Sequence, residues 1–242
     1  MRCTRKPLFA LIGLSLVALT GCSSFNGGMK MDGQTLGELD LRSQPFDSVK
    51  LAGPDDLTIE TGTPAISVSG SESAQKALRF RFEDNQLVVG RNDPGGEAEG
   101  TAAIKLTMPP PSALKLSGSG KIAATEMRGD ATQIALSGSG DVNVDSIESG
   151  SLAIKISGSG DIRGGGHVRA LDAKIAGSGD IDLDKLEADN ADISIAGSGD
   201  VKIYSNGNVK GSIAGSGDVD VRGRAQCSVK SAGSGSLRCG GD

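Results

Sequence analysis

The sequence predicts an all-β chain wound as a parallel β-helix, with coils of about 18–20 residues behind a strand-rich N-terminal cap. Three observations carry this reading. A Gly-Ser-Gly triplet returns seven times, starting at Gly118, Gly138, Gly158, Gly177, Gly197, Gly215 and Gly233, at intervals of 20, 20, 19, 20, 18 and 18 residues. Apolar and polar residues alternate on both sides of the triplet, the period of a strand with one wet face. Glycine is abundant at 37 residues, whereas the chain has five Phe, one Tyr and no Trp. Its core must therefore be thin and built from Ile, Val, Leu and Ala.

Residues 1–21 have the layout of a secretory signal. Arg2, Arg5 and Lys6 precede an apolar stretch, Leu8 to Ala18, that is too short to span a bilayer. The string Leu19-Thr20-Gly21-Cys22 is similar to the bacterial lipobox, where the cysteine thiol takes the lipid and becomes the new N-terminus. An ordinary signal peptide with a chance cysteine is the alternative. Buried acyl chain contributes roughly 0.8 kcal/mol per methylene, so a diacylglyceryl cysteine with an added palmitoyl-type chain anchors without a membrane helix. Ser23, where an Asp would favour inner-membrane retention, reads as an outer-membrane address. The sequence leaves open the periplasmic face or the cell surface.

Cleavage before Cys22 leaves 221 residues with 22 Lys and Arg, down from 25, against 30 Asp and Glu, a net charge of −8. That balance excludes a nucleic-acid partner, which needs a basic footprint. It also excludes electrostatic docking on anionic lipid, so the acyl anchor is the one expected membrane link. Residues 22–44 are mostly polar, with Gly27-Gly28 and no period, and are expected to be a flexible tether.

Residues 45–112 are expected to form the cap. Phe46 to Leu51, Leu57 to Glu60, Ala65 to Ser69, Leu78 to Glu83, Leu87 to Gly90 and Ala103 to Thr107 look extended, and Asp84-Asn85 reads as a hairpin turn. Pro109-Pro110-Pro111 marks the passage into the regular coils of residues 113–242. There, the slot two residues before the triplet holds Leu116, Leu136, Ile156, Ile175, Ile195, Ile213 and Ser231. The slot two after it holds Ile122, Val142, Ile162, Ile181, Val201, Val219 and Leu237. Each repeat thus supplies two short strands about a tight bend, plus a third, less regular segment with Ile147, Val168 and Leu186 pointing inward. Copies of each strand stack about 4.8 Å apart. An antiparallel sandwich also suits regularly spaced strands, but it does not require a phase-locked triplet.

Cys227 shares the inward slot of Leu152, Leu171 and Val209, and Cys239 also falls on an inward position. In an envelope compartment the two are expected to pair across the last coil; two reduced core cysteines are the alternative.

Four stretches taken together, "FDSVKLAGPDDLTIETG", "LRFRFEDNQLVVG", "AIKLTMPPPSALKLSGSG" and the repeated "IAGSGDI", resemble the auto-transporter adhesin head GIN domain family over roughly residues 45–240. The resemblance implies a right-handed parallel β-helix in envelope or surface proteins, often behind a lipoprotein signal. It brings no catalytic motif, no established ligand and no site residues.

Asp141, Asp161, Asp180, Asp200 and Asp218 each follow a triplet directly, and stacking should align them in a carboxylate ladder. One reading is Ca²⁺ held between coils by carboxylate and carbonyl oxygens. The string "GSGD" is similar to calcium-binding nonapeptide repeats, but its period is about twice theirs. The other reading is turn capping, each Asp accepting backbone N–H bonds. His167, the single histidine, lies in Gly164-Gly165-Gly166-His167 with no Ser/His/Asp or Cys/His set around it in the sequence. The expectation is therefore a non-catalytic, monomeric envelope lipoprotein with a β-helical binding, adhesive or structural head and no cofactor. A calcium-dependent polysaccharide-processing β-helix enzyme is the alternative.

Overall fold

The computed structural model describes residues 30–240. Strand accounts for 68% and helix for 3% of the described residues, wound as a β-solenoid of about six turns with coils near 20 residues. The signal, Cys22 and the first residues of the expected tether lie outside the described residues.

The cap contains β1 (Ser48–Ala52), β2 (Asp56–Thr61), β3 (Ala65–Gly70), α1 (Glu72–Ala77), β4 (Leu78–Glu83), β5 (Gln86–Arg91) and β6 (Ala102–Met108). The coils follow as β7 (Ala113–Gly118), β8 (Lys121–Gly138), β9 (Asp141–Gly158), β10 (Asp161–Gly177) and β11 (Ile181–Gly197). They finish with β12 (Val201–Ser205), β13 (Asn208–Gly215), β14 (Val219–Arg222), β15 (Gln226–Gly233) and β16 (Leu237–Cys239). Every pairing between successive coils is parallel, and all seven triplet glycines are in register, Gly118 on Gly138 through to Gly215 on Gly233.

The corner explains that lock. Gly158 has φ 138°, a backbone that L side chains avoid, and a Cβ there would run into the carbonyl oxygen of Gly138. The Ser159 amide uses the same oxygen, donating to Gly138 O at 2.9 Å. With corners that close, alternate residues must align in columns, and Ile134, Ile154, Ile156, Ile175, Ile193 and Ile195 are all buried. The core is one cluster running from Leu41 to Val221.

Two expectations need correction. In the inner coils the third segment is not irregular, β8 and β9 running unbroken for 18 residues each from one triplet to the next, whereas the outer coils do break there, between β12 and β13 and between β14 and β15. Register shifts fall between Leu183 and Glu187 against β12, and at Gly164–Gly166, where Gly166 pairs with Ile147 and Leu186. Val168, fully buried, enters the core two residues later. Next, the tether does not stay clear of the head. Gln34 and Phe80 exchange backbone hydrogen bonds at 2.8 and 2.9 Å, and Met31 donates to Arg91 O at 3.0 Å. This happens because β4 would otherwise be an open edge. The short helix α1 leaves no signal in the sequence, its six residues being too few for a 3.6-residue period to show.

The inner end of the solenoid rests on a buried ion pair that sequence patterning does not reveal. Gly53-Pro54-Asp55 occupies the corner slot below the first triplet, with Gly120 N donating to Gly53 O at 2.9 Å and Lys121 N to Asp55 O at 3.1 Å. Asp55, fully buried, accepts from Arg91 Nε at 2.8 Å and Nη2 at 2.5 Å, and from the Ala102 amide at 2.8 Å. Arg91 also donates to the carbonyls of Ala98 and Gly100, so the pair pins the 92–101 loop. Hydrogen bonding to Asp55 raises the Arg91 pKa further, against the effect of burial. Every strong donor and acceptor here has a partner, which is what makes a buried pair tolerable.

Two expected outcomes follow from this geometry. Gly158→Ala should lower stability by several kcal/mol or prevent folding, since strained φ alone costs about 1–3 kcal/mol; a urea midpoint equal to that of the parent protein would refute the corner constraint. Arg91→Met should cost about 3–5 kcal/mol by stranding a buried carboxylate, and adding Asp55→Leu should recover a large part of it. A double-mutant cycle by chemical denaturation measures both.

Candidate functional site

With the corners stacked, the post-triplet carboxylates form a ladder, but with a more specific role than local turn capping. Asp180 N donates to Asp161 Oδ1 at 3.2 Å, Asp200 N to Asp180 Oδ1 at 2.8 Å, and Asp218 N to Asp200 Oδ1 at 2.8 Å. Ser236 closes the series, giving both its amide and its hydroxyl to Asp218 Oδ1 at 2.8 Å. Each carboxylate thus caps the next coil's backbone rather than its own turn. Asp141 stands apart: its amide donates to Gly120 O, and its carboxylate faces Lys121 Nζ at 3.8 Å. The structure therefore aligns all five predicted Asp residues and links the last four through backbone amides.

Among the described residues no three His, Cys, Asp or Glu side chains converge on a point that could hold a metal ion. The ladder explains the geometry, because in each linked Asp one oxygen is already an acceptor for the neighbouring coil. Cations sit between the carboxylates on this face. Arg163 Nη2 is 2.9 Å from Asp161 Oδ2, and Arg222 Nη1 is 3.5 Å from Asp184 Oδ2. Each such pair offsets like-charge repulsion at its own carboxylate.

His167 Nε2 lies 3.3 Å from Asp189 Oδ1, with both side chains about half exposed. The pair bridges neighbouring coils on the outer surface. Beside it the side-chain-poor stretch Gly164-Gly165-Gly166 leaves a polar hollow of about 400 Å³, bordered by Asn143, Asp145, Arg163, Asp182, Asp184 and Lys185.

At the outer end, Cys227 pairs in register with Val209 and Cys239 with Val221, the inward columns assigned from the sequence. The structure places their sulfurs within bonding distance, with Cα atoms 6.2 Å apart. Cys227 is half-buried and Cys239 exposed, because no further coil among the described residues covers them.

The outward slots of the same repeats form a second surface. Three residues before each triplet, on the opposite side of the corner from the Asp ladder, stand Lys115, Ala135, Lys155, Lys174, Ser194, Ser212 and Lys230, with Lys50 of β1 stacked below Lys115. These outward positions are as legible in the triplet alignment as the core is.

The geometry defines a class: a β-solenoid head with flat, in-register polar faces and capped ends. Within it, residues 45–225 match the family described as "Putative auto-transporter adhesin, head GIN domain", and the chain belongs to that family. Solved structures share the fold. A putative adhesin from Bacteroides fragilis NCTC 9343 superposes with a TM-score of 0.74 at 17% identity, covering 81% of this chain and 93% of that one. A putative lipid binding protein from Parabacteroides distasonis ATCC 8503 gives 0.64 at 22% identity, over 82% and 93%. A putative adhesin from Parabacteroides merdae ATCC 43184 gives 0.60 at 20% identity, over 82% and 93%. No curated protein matches the chain. Among the described residues, no helix is long and apolar enough to cross a membrane.

The ladder has a pH signature at its last rung. Hydrogen bonds from the Ser236 side chain, then from its backbone, hold the Asp218 carboxyl below its ordinary value of 3.8. A depressed folded-state value stabilises the last coil above the unfolded value, and that contribution disappears as pH falls through the lower folded value. The Ser236 amide resonance should therefore titrate below pH 3.8, and Asp218→Asn should abolish the titration. A Ser236 shift that still titrates in the variant would show that the ladder does not end on this carboxylate.

Proposed function

We propose that the chain is a non-catalytic binding head of the bacterial envelope, anchored by lipid at Cys22 to the outer membrane and acting as an adhesive or structural module. The observation that carries the reading is the regular outer surface: a rigid stack of coils presenting the same slots every 4.8 Å or so suits a repetitive partner better than a single small molecule. Membership of an adhesin-head family supports it. The His167–Asp189 pair does not count against it, since no nucleophile hydrogen-bonds to it among the described residues.

In this reading residues 1–21 are removed, Cys22 carries the acyl groups, and the membrane link is lipid alone. The Cys227–Cys239 bond would keep the last coil from fraying in an oxidising compartment, as disulfides in envelope proteins commonly do. The head acts as a monomer, its inner end covered by residues 30–44 and the β4–β5 hairpin.

Protease treatment of intact cells carrying an epitope tag after Asp242, with a lysed-cell control, tests the location. Loss of the tag on intact cells is the outcome expected of a surface adhesive head. Protection until lysis would sink direct adhesion and leave a periplasmic structural role. Cys22→Ala should move the protein out of the membrane fraction; unchanged membrane retention would remove the lipid anchor from the reading.

A further inference from the structure

We propose that the face carrying the lysine column binds a linear acidic polysaccharide lying along the solenoid axis. The inference rests on the binding-head reading and gives that head a face and a ligand class.

The charge distribution is the first support. The chain carries a net charge of −5, yet the outward strand positions just before the triplets hold Lys50, Lys115, Lys155, Lys174, Lys210 and Lys230 against only Asp172 and Asp192. The solenoid is thus electrically two-sided, with the Asp ladder on the face beyond the corner. An acidic polymer repelled by the ladder is attracted by the face that precedes it.

Pairing is the second. Three cations on the ladder face form ion pairs, Lys121 with Asp141, Arg163 with Asp161 and Arg222 with Asp184, whereas Lys185 and Lys202 form none among the described residues. On the lysine face Lys174 alone forms an ion pair among the described residues, 2.7 Å from Asp172. Lys155 and Lys174 stand directly opposite each other in adjacent parallel strands, as do Lys50 and Lys115. Like charges at that distance disfavour the fold. The fold does not demand them, because the same slot holds Ala135, Ser194 and Ser212 in other coils. Unneutralised lysines kept in a slot that accepts alanine are what an external anion would satisfy.

Shape is the third. Beside the column, two hollows of about 520 and 580 Å³ share Ala170, Leu171 and Asp192, and so join into one furrow running along the axis. The furrow spans four coils, from Ser151 to Lys210; alanine and leucine side chains line it, with Lys174 and Lys210 set against Asp172 and Asp192. Asn190 and Asn208 at its edge, with Asp192, offer both donors and acceptors for hydroxyl groups. A furrow along the axis, with hydroxyl-binding groups in it and lysines beside it, fits a linear sugar polymer bearing carboxylates. An anionic bilayer offers a plane and leaves the furrow unused.

The test uses the purified full-length protein in detergent, with polygalacturonate as the probe, dextran as a neutral polymer and phosphatidylglycerol vesicles as an anionic plane. Lys155→Ala/Lys174→Ala is compared with Lys185→Ala/Lys202→Ala, which removes the same charge elsewhere. Ala135 already occupies the column, so the first pair should fold, and matching melting curves check that. Binding to polygalacturonate and not to dextran is expected. It should weaken about tenfold or more in the first pair only, with a shallower salt dependence. No binding to polygalacturonate, equal weakening by both pairs, or loss of vesicle binding alone in the first pair would each overturn the proposal. A head that is exposed on intact cells yet fails this binding test loses the ligand class but keeps the adhesion reading.

Discussion

The closeness of approach at the Gly-Ser-Gly corner governs the rest of the structure. Successive coils can hydrogen-bond only if their backbones lie about 4.8 Å apart, and at the corner that leaves no space for a Cβ. A Cβ on Gly160 would meet Gly140 O, just as one on Gly158 would meet Gly138 O. Once every coil turns at the same glycines, register is settled for the whole coil, since slipping by one residue would turn each inward Ile or Val out to water. The core columns, the Asp ladder and the lysine column all follow from that one alignment.

A stack so regular has its difficulties at the ends. Within the stack each coil is covered by its neighbours, whereas an end coil exposes both apolar side chains and unpaired backbone groups. The inner end answers with a built cap: Asp55 takes the place of a corner glycine, and Arg91 satisfies it while tying down the 92–101 loop. The 30–44 segment then covers the β4 edge. At the outer end Ser236 replaces Asp as the last rung, accepting no further amide among the described residues but donating two hydrogen bonds back to Asp218. Burial tapers there too, with Cys227, Val229 and Leu237 only half covered.

Legibility in the sequence follows the repeat. Where seven copies can be aligned, the inward columns emerge directly, and Leu116, Ile156, Ile195 and Val219 are buried as their slots require. The cap strands were found from alternation and the Asp84-Asn85 turn, with ends displaced by a residue or two. What escaped has no repeat behind it. Asp55 and Arg91 are 36 residues apart and meet once, so no periodicity links them, and isolated charged residues in a polar segment look like surface. The 30–44 segment looked like linker because a few backbone hydrogen bonds and one buried Leu41 leave no pattern in composition. The Asp columns were legible as columns, but their acceptor role needs the amide positions of the next coil, which only the stacked structure supplies. The lysine column lies in the same alignment, in the outward slots that alternate with the core positions.

Those outward slots separate what folding requires from what it merely tolerates. An inward slot is held by volume, and even there the coils differ: Ala173 and Gly211 sit in columns of Ile. An outward slot is held by almost nothing, since a solvated side chain on a flat strand contributes little to stability. The repeat therefore carries its own internal control. At the position after the triplet, Asp161, Asp180, Asp200 and Asp218 each cap the next coil's amide, so structure alone accounts for them. Three residues before the triplet, Lys alternates with Ala and Ser, so structure does not require it, and the stacking of lysine on lysine works against the fold. A charge that the fold neither needs nor neutralises must be accounted for by something outside the chain. On this solenoid Lys50, Lys115, Lys155 and Lys230 are such charges, all on one face, beside a furrow that runs along the axis.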